Sequence, residues 1–450
     1  MRAPAITLGL ALVAAPCLAR ANPLDMYGFT SRSAALAGAV TGDVADPSAN
    51  HYNPAGLARM RGFRLDAGYL HAAPSLRLNG ADTAVDPSRG AIAALGAPGR
   101  LFGVRFAFGL AVHLPDDRLS QVRALPQQQP RWELYGVRLQ RLFVAANLAV
   151  AITPWLRVGG GLAFMASTRG GIEIEGRIAA LNPNTSQLTH TVDADLTSVR
   201  YLLLGAQADI GRRVNVGVSF RDEFRLDTQL DANLQGQIVV GPIENPRSLA
   251  IPGAYNLRSR TLTAFQPRQL NVGAAWRPTD RLRLGLDLAW VQWSRYENPT
   301  ASLDVSLDLV IPPSLPGISQ PTVPRPAQRE PMRFSDTLTV RVGGEYTVPL
   351  GRHSLDLRAG YYWDPSPVPA QPGVTNFVDN DRHVASLGAG FTWRDPARWL
   401  AGAIHFDVHA AMQFVPSRDY AKADPNDAVG DYRAGGTALV LGANAGVEFR

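Results

Sequence analysis

The chain of 450 residues is 46% apolar and 18% charged, with 42 Gly, 34 Pro, a single Cys and a formal net charge of +6. Such values exclude a disordered, collagen-like or disulfide-stapled protein. Of the 44 basic residues only Lys422 is a lysine, and the arginines are scattered beside acids rather than gathered into a nucleic-acid footprint, so no nucleic-acid partner is expected.

Residues 1–21 carry Arg2, the apolar run Ile6 to Ala15 and the small-residue site Ala19-Arg20-Ala21, the order of a secretory signal peptide. The run is too short to cross a bilayer of about 30 Å as a helix. Cys17 would leave with it, so the mature chain, starting near Asn22, has no thiol for a disulfide or a thiolate metal site. Beyond residue 21 no stretch reaches about 18 consecutive apolar residues, which excludes a helical membrane protein. An exported soluble protein and an outer-membrane barrel remain.

Residues 22–60 show no alternation. They run through Ser31-Arg32-Ser33-Ala34-Ala35-Leu36-Ala37-Gly38-Ala39 to Asp46-Pro47-Ser48-Ala49-Asn50 and Asn53-Pro54-Ala55-Gly56-Leu57. Ser31 and Asp46 are placed to cap short helices, Pro47 suits a first helical position, and Asn53-Pro54 ends one turn and begins another. Low bulk and lack of strand pattern fit a plug folded into a lumen better than an external tether.

From residue 61 onward the chain alternates with period two. Leu282, Leu284, Leu286, Leu288 and Trp290 share one face, against Arg283, Gly285 and Asp287 on the other. Leu338, Val340, Val342, Tyr346 and Val348 oppose Arg341 and Glu345; Leu355, Leu357, Ala359, Tyr361 and Trp363 oppose Asp356 and Arg358. Ile404, Phe406, Val408, Ala410, Met412 and Phe414 oppose His405, Asp407, His409 and Gln413. A soluble sandwich alternates too, but its strands are usually about 5 to 6 residues, whereas a tilted membrane strand needs about 9 to 11. Trp290, Trp293, Trp363, Trp393 and Phe414 near strand ends suit an interfacial girdle.

Such segments fall at 62–73, 88–97, 103–113, 138–151, 156–174, 191–210, 213–230, 261–276, 281–296, 334–347, 353–363, 383–394, 401–415 and 436–449, fourteen in all. Short and long connections alternate, the long ones at 231–260 and 297–333. Short periplasmic turns and long external loops then put both termini in the periplasm of a Gram-negative bacterium. The expectation is an all-β, fourteen-stranded antiparallel transmembrane barrel at 61–450, a plug of short helices at 22–60 and a signal peptide at 1–21. Its lumen carries mixed charges (Arg283, Asp287, Arg341, Glu345, Asp356, Arg358, His405, Asp407, Asn444), expected to pair as ladders rather than to line a single-sign channel.

Gly38-Ala39, Asp46 and Asn53-Pro54-Ala55-Gly56-Leu57 resemble the amino-terminal hatch of the FadL/TodX family of outer-membrane transporters for hydrophobic compounds. Gln266-Pro267-Arg268-Gln269-Leu270-Asn271-Val272-Gly273 through Trp276-Arg277-Pro278 resembles that family's middle hairpin, and Arg341-Val342-Gly343-Gly344-Glu345-Tyr346 and Arg358-Ala359-Gly360-Tyr361 its later strands. The resemblance spans the mature chain. It implies a monomeric barrel gated by the hatch, with Asp46, Asn53, Pro54, Ala55 and Gly56 as hatch residues. It also implies passive uptake of long-chain fatty acids or aromatic hydrocarbons, lateral release through the wall, no cofactor, and outer-membrane lipid and lipopolysaccharide as surroundings. Interior ligand residues do not carry over. One departure is the end of the chain, where Phe449 is penultimate and Arg450 last, in place of a terminal aromatic residue.

His405, Asp407 and His409 could surround a metal, but same-face residues about 7 Å apart along one strand suit a hydrogen-bonded lumen ladder better, and no metal is assigned. Asp379-Asn380-Asp381 and Asp424-Pro425-Asn426-Asp427 lack EF-hand spacing and read as turns. No Gly-x-Ser-x-Gly elbow is present, and catalytic residues are not expected. Gly159-Gly160-Gly161 and Gly170-Gly171 precede no helix that could hold an anion, so they read as strand glycines where the plug or a bend comes close. A general diffusion porin, a barrel enzyme such as a lipid hydrolase, and a structural or adhesive barrel are the competing readings.

Overall fold

The computed structural model describes residues 24–116, 127–136, 142–179, 187–240, 242, 244–300, 302–311, 329–396 and 402–449. The signal-peptide reading of 1–21, most of the Pro-rich loop around 312–328 and Arg450 lie outside them.

Fourteen antiparallel strands close on themselves. They are β1 Phe63–Leu78, β2 Ser88–Leu101, β3 Val104–Pro115, β4 Phe143–Ala151, β5 Leu156–Ala179, β6 Gln187–Ile210, β7 Val214–Arg221, β8 Gln269–Trp276, β9 Leu282–Val291, β10 Thr337–Leu350, β11 His353–Asp364, β12 Arg382–Arg394, β13 Gly402–Tyr420 and β14 Tyr432–Phe449. Each pairs with the next, and β1 closes on β14 from Phe63↔Phe449 to Leu78↔Ala434. Closure satisfies every ladder group internally and leaves no edge in the ring. All fourteen segments expected from the alternation are there, including the second.

The alternation also places the side chains as expected. Leu284, Leu286, Leu288, Val342, Tyr346, Leu357, Phe406 and Val408 are exposed on the outer wall, whereas Arg283, Asp287, Arg358 and Asp407 are buried inside. Trp363, Trp393 and Phe414 face outward at the ends of the apolar band. Trp293 does not join them: β9 stops at Val291, and a 3-10 turn, Trp293–Arg295, folds the indole inward, where it is 8% exposed.

Several boundaries differ from the alternation. The expected strand 213–230 is broken at Asp222-Glu223, and 261–276 at Pro267-Arg268, where proline removes a ladder donor. The expected loop 231–260 is largely strand: Phe224–Val240 and Leu249–Gln266 form a hairpin. Leu230 to Val239 runs parallel to Gly170 to Ala179 at the far end of β5, and Ser302–Leu309 adds to the other side of the hairpin. A twisted sheet of β6, β5, this hairpin and Ser302–Leu309 therefore rises from one side of the mouth, beyond the ring. Strand pairing outside the apolar band has the same period-two signature as pairing inside it, so sequence alone does not say where the barrel ends.

Residues 24–60 sit within the ring as short helices α1 Leu24–Tyr27, α2 Ser31–Ala35 and α3 Ala49–Tyr52, followed by a 3-10 turn, Pro54–Arg59. The expected caps shift: Thr30 is the N-cap of α2 and Ser48 that of α3. Asp46 instead accepts from Ser48 N (2.9 Å) and Ser48 Oγ (2.5 Å), ordering the turn that leads into α3.

Candidate functional site

The amino-terminal segment meets the wall backbone to backbone, because inward positions on strands β2, β3 and β5–β12 are glycine where it touches. A Cβ at Gly285 would lie 2.5 Å from Ala39 O, at Gly343 2.5 Å from Leu36 O, at Gly360 2.6 Å from Ala37 N, and at Gly159 2.6 Å from Ala55 N. Gly217 is crowded by Thr41 O, while Gly96, Gly109, Gly205 and Gly388 meet side-chain atoms of Met60, Asn50, Asn53 and Ala35, and Gly273 meets Asp287 of the wall and the Thr41 side chain. The expected role of Gly159 as a point of close approach is therefore one part of a belt.

Polar pegs fix the segment in that belt. Buried Asn53 donates from Nδ2 to Thr41 O (2.9 Å), Ala206 O (3.1 Å) and Val218 O (3.3 Å), and its Oδ1 accepts from Ala55 N, which starts the turn through Pro54, Ala55 and Gly56. Asn50 Nδ2 donates to Leu95 O (3.0 Å) and Leu110 O (3.3 Å), while Asn147 Nδ2 donates to Asn50 O (3.1 Å). Asp287 Oδ2 accepts from Val40 N and Thr41 N.

Below the segment lies the charged network. Arg32 donates to both oxygens of Glu345 (3.0 Å each) and to Asp46 (3.1 Å); Arg358 donates to Glu345 (2.6 Å) and to Asp407. Arg283 and Arg277 clasp Asp43, both at 2.6 Å. Burial pushes the Asp43 and Asp46 carboxyls up, yet Arg283 beside the one and Arg32 beside the other outweigh it, so both are held below their ordinary range. Of the expected lumen ladder, Glu345, Arg358 and Asp407 join in this one network. His405 faces Glu448 (3.3 Å) instead, and the buried His409 ring has no polar partner among the described residues. Among the described residues no group of three or more His, Cys, Asp or Glu is arranged to hold a metal ion.

Arg341 stands apart, on the opposite side of the segment. Two adjoining cavities lie there and share Asp25, Met26, Gln269 and Arg341 as lining. Tyr27, Tyr52, Tyr362, Val384 and Val440 line the first; Leu134, Phe265, Ala289, Val291 and Trp293 line the second. Arg341 donates to Ala37 O (3.1 Å) and lies 4.5 Å over the Tyr362 ring, with no carboxylate in ion-pair reach among the described residues. Its cationic neighbours are paired: Arg221 with Asp25, and Arg382 with Asp364. The α1 arm between the cavities is held by Gln413 Nε2 and the Tyr362 hydroxyl, both donating to Met26 O (2.8 and 3.1 Å), and by Gln266 Nε2 donating to Asp25 (3.0 Å). It meets α2 at Thr30, whose φ of 60° is strained for a β-branched residue.

Above the second cavity Phe265, Trp293, Tyr296 and Phe334 form an aromatic run with centroids 5.3 to 6.4 Å apart. Helix α4 Glu133–Gly136 packs over it, with Tyr296 donating to Glu133 (2.6 Å). Asp25, His51, Arg221 and this aromatic run were not singled out from the sequence. Inward-parity glycines recurring strand after strand were the available signal for the belt; nothing local marks the cavity residues.

A closed fourteen-stranded barrel with an apolar outer wall, an internal segment wedged across it and an amphipathic cavity above defines a transport-type outer-membrane barrel. The chain belongs to the family described as outer membrane protein transport protein (OMPP1/FadL/TodX), whose model matches residues 10–449. It is 23% identical over 404 residues to alkane uptake protein A of Marinobacter nauticus, covering 84% of this chain and 80% of the relative. Among solved structures it resembles a Pseudomonas aeruginosa FadL homologue, with TM-score 0.57 and 14% identity over 94% of this chain and 98% of that one. It also resembles the toluene transporter TodX of P. putida, with TM-score 0.53 and 13% identity over 95% and 100%.

Proposed function

We propose that the protein is a passive outer-membrane channel for hydrophobic small molecules such as long-chain fatty acids, closed at rest by residues 22–60 and releasing its ligand sideways through the wall. The cavity above the wedged segment carries this reading: aromatic and aliphatic walls suit an apolar body, while Arg341, without a carboxylate partner among the described residues, suits an anionic head. The relatives named for alkane uptake and toluene transport support the apolar half of that preference. Since the belt and its pegs block a straight path beside residues 31–60, a ligand entering at the aromatic run leaves through the wall instead. Export by residues 1–21, a monomeric state, and the end carrying Phe63 and Phe449 in the periplasm belong to the same reading.

The test combines mass spectrometry of lipids that co-purify with the detergent-extracted protein and planar-bilayer conductance. A bound fatty acid or aromatic compound with little ion conductance is the expected result. A large steady conductance with no apolar ligand would instead identify a general porin, and neither ligand nor conductance a structural or adhesive barrel.

A further inference from the structure

We infer that the outer wall at the mouth end of β13, β14 and β1 carries a binding site for the phosphorylated glycolipid of the outer leaflet. The site is distinct from the transport cavity, and the inference rests on the orientation proposed above, with the long connections outside.

The notch arises from a break in pairing. Between Val415 and Arg418, β13 has one residue more than its partner β14, and this bulge pushes Pro416 and Ser417 outward. Opposite it β14 has Gly435 and Gly436; a Cβ at Gly435 would lie 2.7 Å from Ser417 Oγ, so any side chain there would crowd the hollow. Phe414 forms its lower wall, continuous with exposed Leu439 and Leu441 in the apolar band. Above that level the outward face turns polar: Ser75 pairs across with Thr437, and Arg77 with Gly435.

Two guanidiniums share this polar level. Arg77 is opposite Gly435, and Arg433 precedes that glycine by two residues on the same face, which makes them diagonal neighbours with Cα atoms about 7–8 Å apart, close enough to bracket one phosphate. Asn79 holds the register, accepting from Arg433 N at Oδ1 (2.8 Å) and donating its own N–H to Arg433 O (2.8 Å). Arg77 stands across from the exposed Asp82 without an ion pair to it among the described residues, and Arg433 has the exposed Asp419 at 3.6 Å, so a phosphate here displaces two solvated carboxylates from the guanidiniums. Positive charge at the end of an apolar band, with hydroxyls beside it and an aromatic ring beneath, matches a lipid A phosphate, its sugar and the first acyl carbons in that order.

The experiment uses the full protein extracted from outer membranes, washed in detergent, and assayed for retained lipid A per barrel by mass spectrometry. The double variant R77Q/R433Q should lose roughly tenfold of the retained lipid A, about 1.4 kcal/mol, while R212Q at the opposite rim stays as wild type. D419N, which frees Arg433, should hold the lipid to higher salt. Heat-dependent gel mobility reports that each barrel is folded. Equal retention in R77Q/R433Q and wild type, an equal loss in R212Q, or wild-type protein that keeps only phospholipid would overturn the inference. A cysteine at the exposed loop position Asn426, labelled in intact cells, separates the two claims: labelling without lipid A retention sinks the notch alone, and no labelling sinks the orientation beneath it. Ligand uptake by R77Q/R433Q should be unchanged, since neither arginine lines the cavity.

Discussion

The two halves of the lumen solve opposite problems with the same barrel. Around residues 31–60 each contact is short and specific: glycines admit the segment to the wall, asparagine amides reach strand carbonyls, Arg32, Asp46, Glu345 and Arg358 satisfy one another, and Arg283 satisfies Asp43. On the mouth side the same strands carry larger apolar side chains that line the cavities, with Arg341 left without an acid among the described residues. A closed barrier needs interlocking shapes that cannot shift independently, whereas a site for greasy ligands of variable length needs surface without fixed partners. Between them lies the α1 arm, attached to the wall by side-chain bonds and joined to α2 at strained Thr30.

The largest way to break this contrast is to remove the barrier. Deleting residues 22–57 should turn a poorly conducting barrel into an open one, raising single-channel conductance by roughly tenfold or more, because fourteen strands enclose more than side chains fill. Unchanged conductance in planar bilayers would mean that the wedge does not close the pore.

A subtler attack leaves the segment in place and spoils its fit. Gly285→Leu drives a side chain into Ala39 O and should cost about 1–3 kcal/mol, seen as a lower midpoint of heat-dependent gel mobility. Gly373→Ala, where nothing lies within 4 Å, is the matched control and should be neutral. Equal effects would show that the belt is not a steric requirement.

The cavity side is sharpened by Arg341→Met, which keeps the unbranched apolar stem and removes the charged guanidinium. Affinity for a fatty acid should fall roughly tenfold, the worth of a charge-assisted hydrogen bond, while binding of a neutral alkane or arene stays within about twofold. Loss of both ligands alike, read by tryptophan fluorescence titration, would make Arg341 a packing residue rather than a head-group receptor.

How far the sequence foretold these halves depends on what each is made of. The ring was legible because a one-residue slip would turn every outward leucine inward, so parity is strongly imposed along Leu282–Val291 or His353–Asp364. Asn53-Pro54 was legible as a turn because proline restricts its own backbone and that of the residue before it, whereas Gly56 was marked only by the resemblance to the family's hatch. The cavity was not: Arg221, Asp25, His51 and Arg341 converge from separate parts of the chain, and their meeting depends on strand tilt and on the path of the segment through the lumen. Nor could alternation show that 224–240 and 249–266 lie beyond the ring, since a sheet in water keeps the same period. Trp293 was misplaced because a tryptophan at a strand end reads as girdle unless the following turn is known.

The smallest effect concerns acid. Burial, reinforced by the Arg221 guanidinium, holds the His51 imidazole down at about 3, against an ordinary 6.5, even though Asp25 lies 3.5 Å from Nε2 and Arg341 adds to the repulsion. The folded chain therefore keeps this ring neutral where the unfolded chain takes up a proton. Above pH 6.5 the difference vanishes; between 6.5 and about 3 the unfolded state binds the extra proton, so stability falls as pH falls, by on the order of 2 kcal/mol at pH 5. Asp43 and Asp46 add a loss in the same direction, but only below their unfolded value of 3.8; between pH 6.5 and 4.5 the part of the slope that belongs to His51 is the difference between wild type and a variant lacking that ring. His51→Gln should flatten the pH dependence in that window. A slope unaltered by the substitution would mean that the ring can take its proton inside the folded barrel, with Asp25 released from Arg221 to receive it, and would place a weak point of the barrier at the contact between α1 and α3.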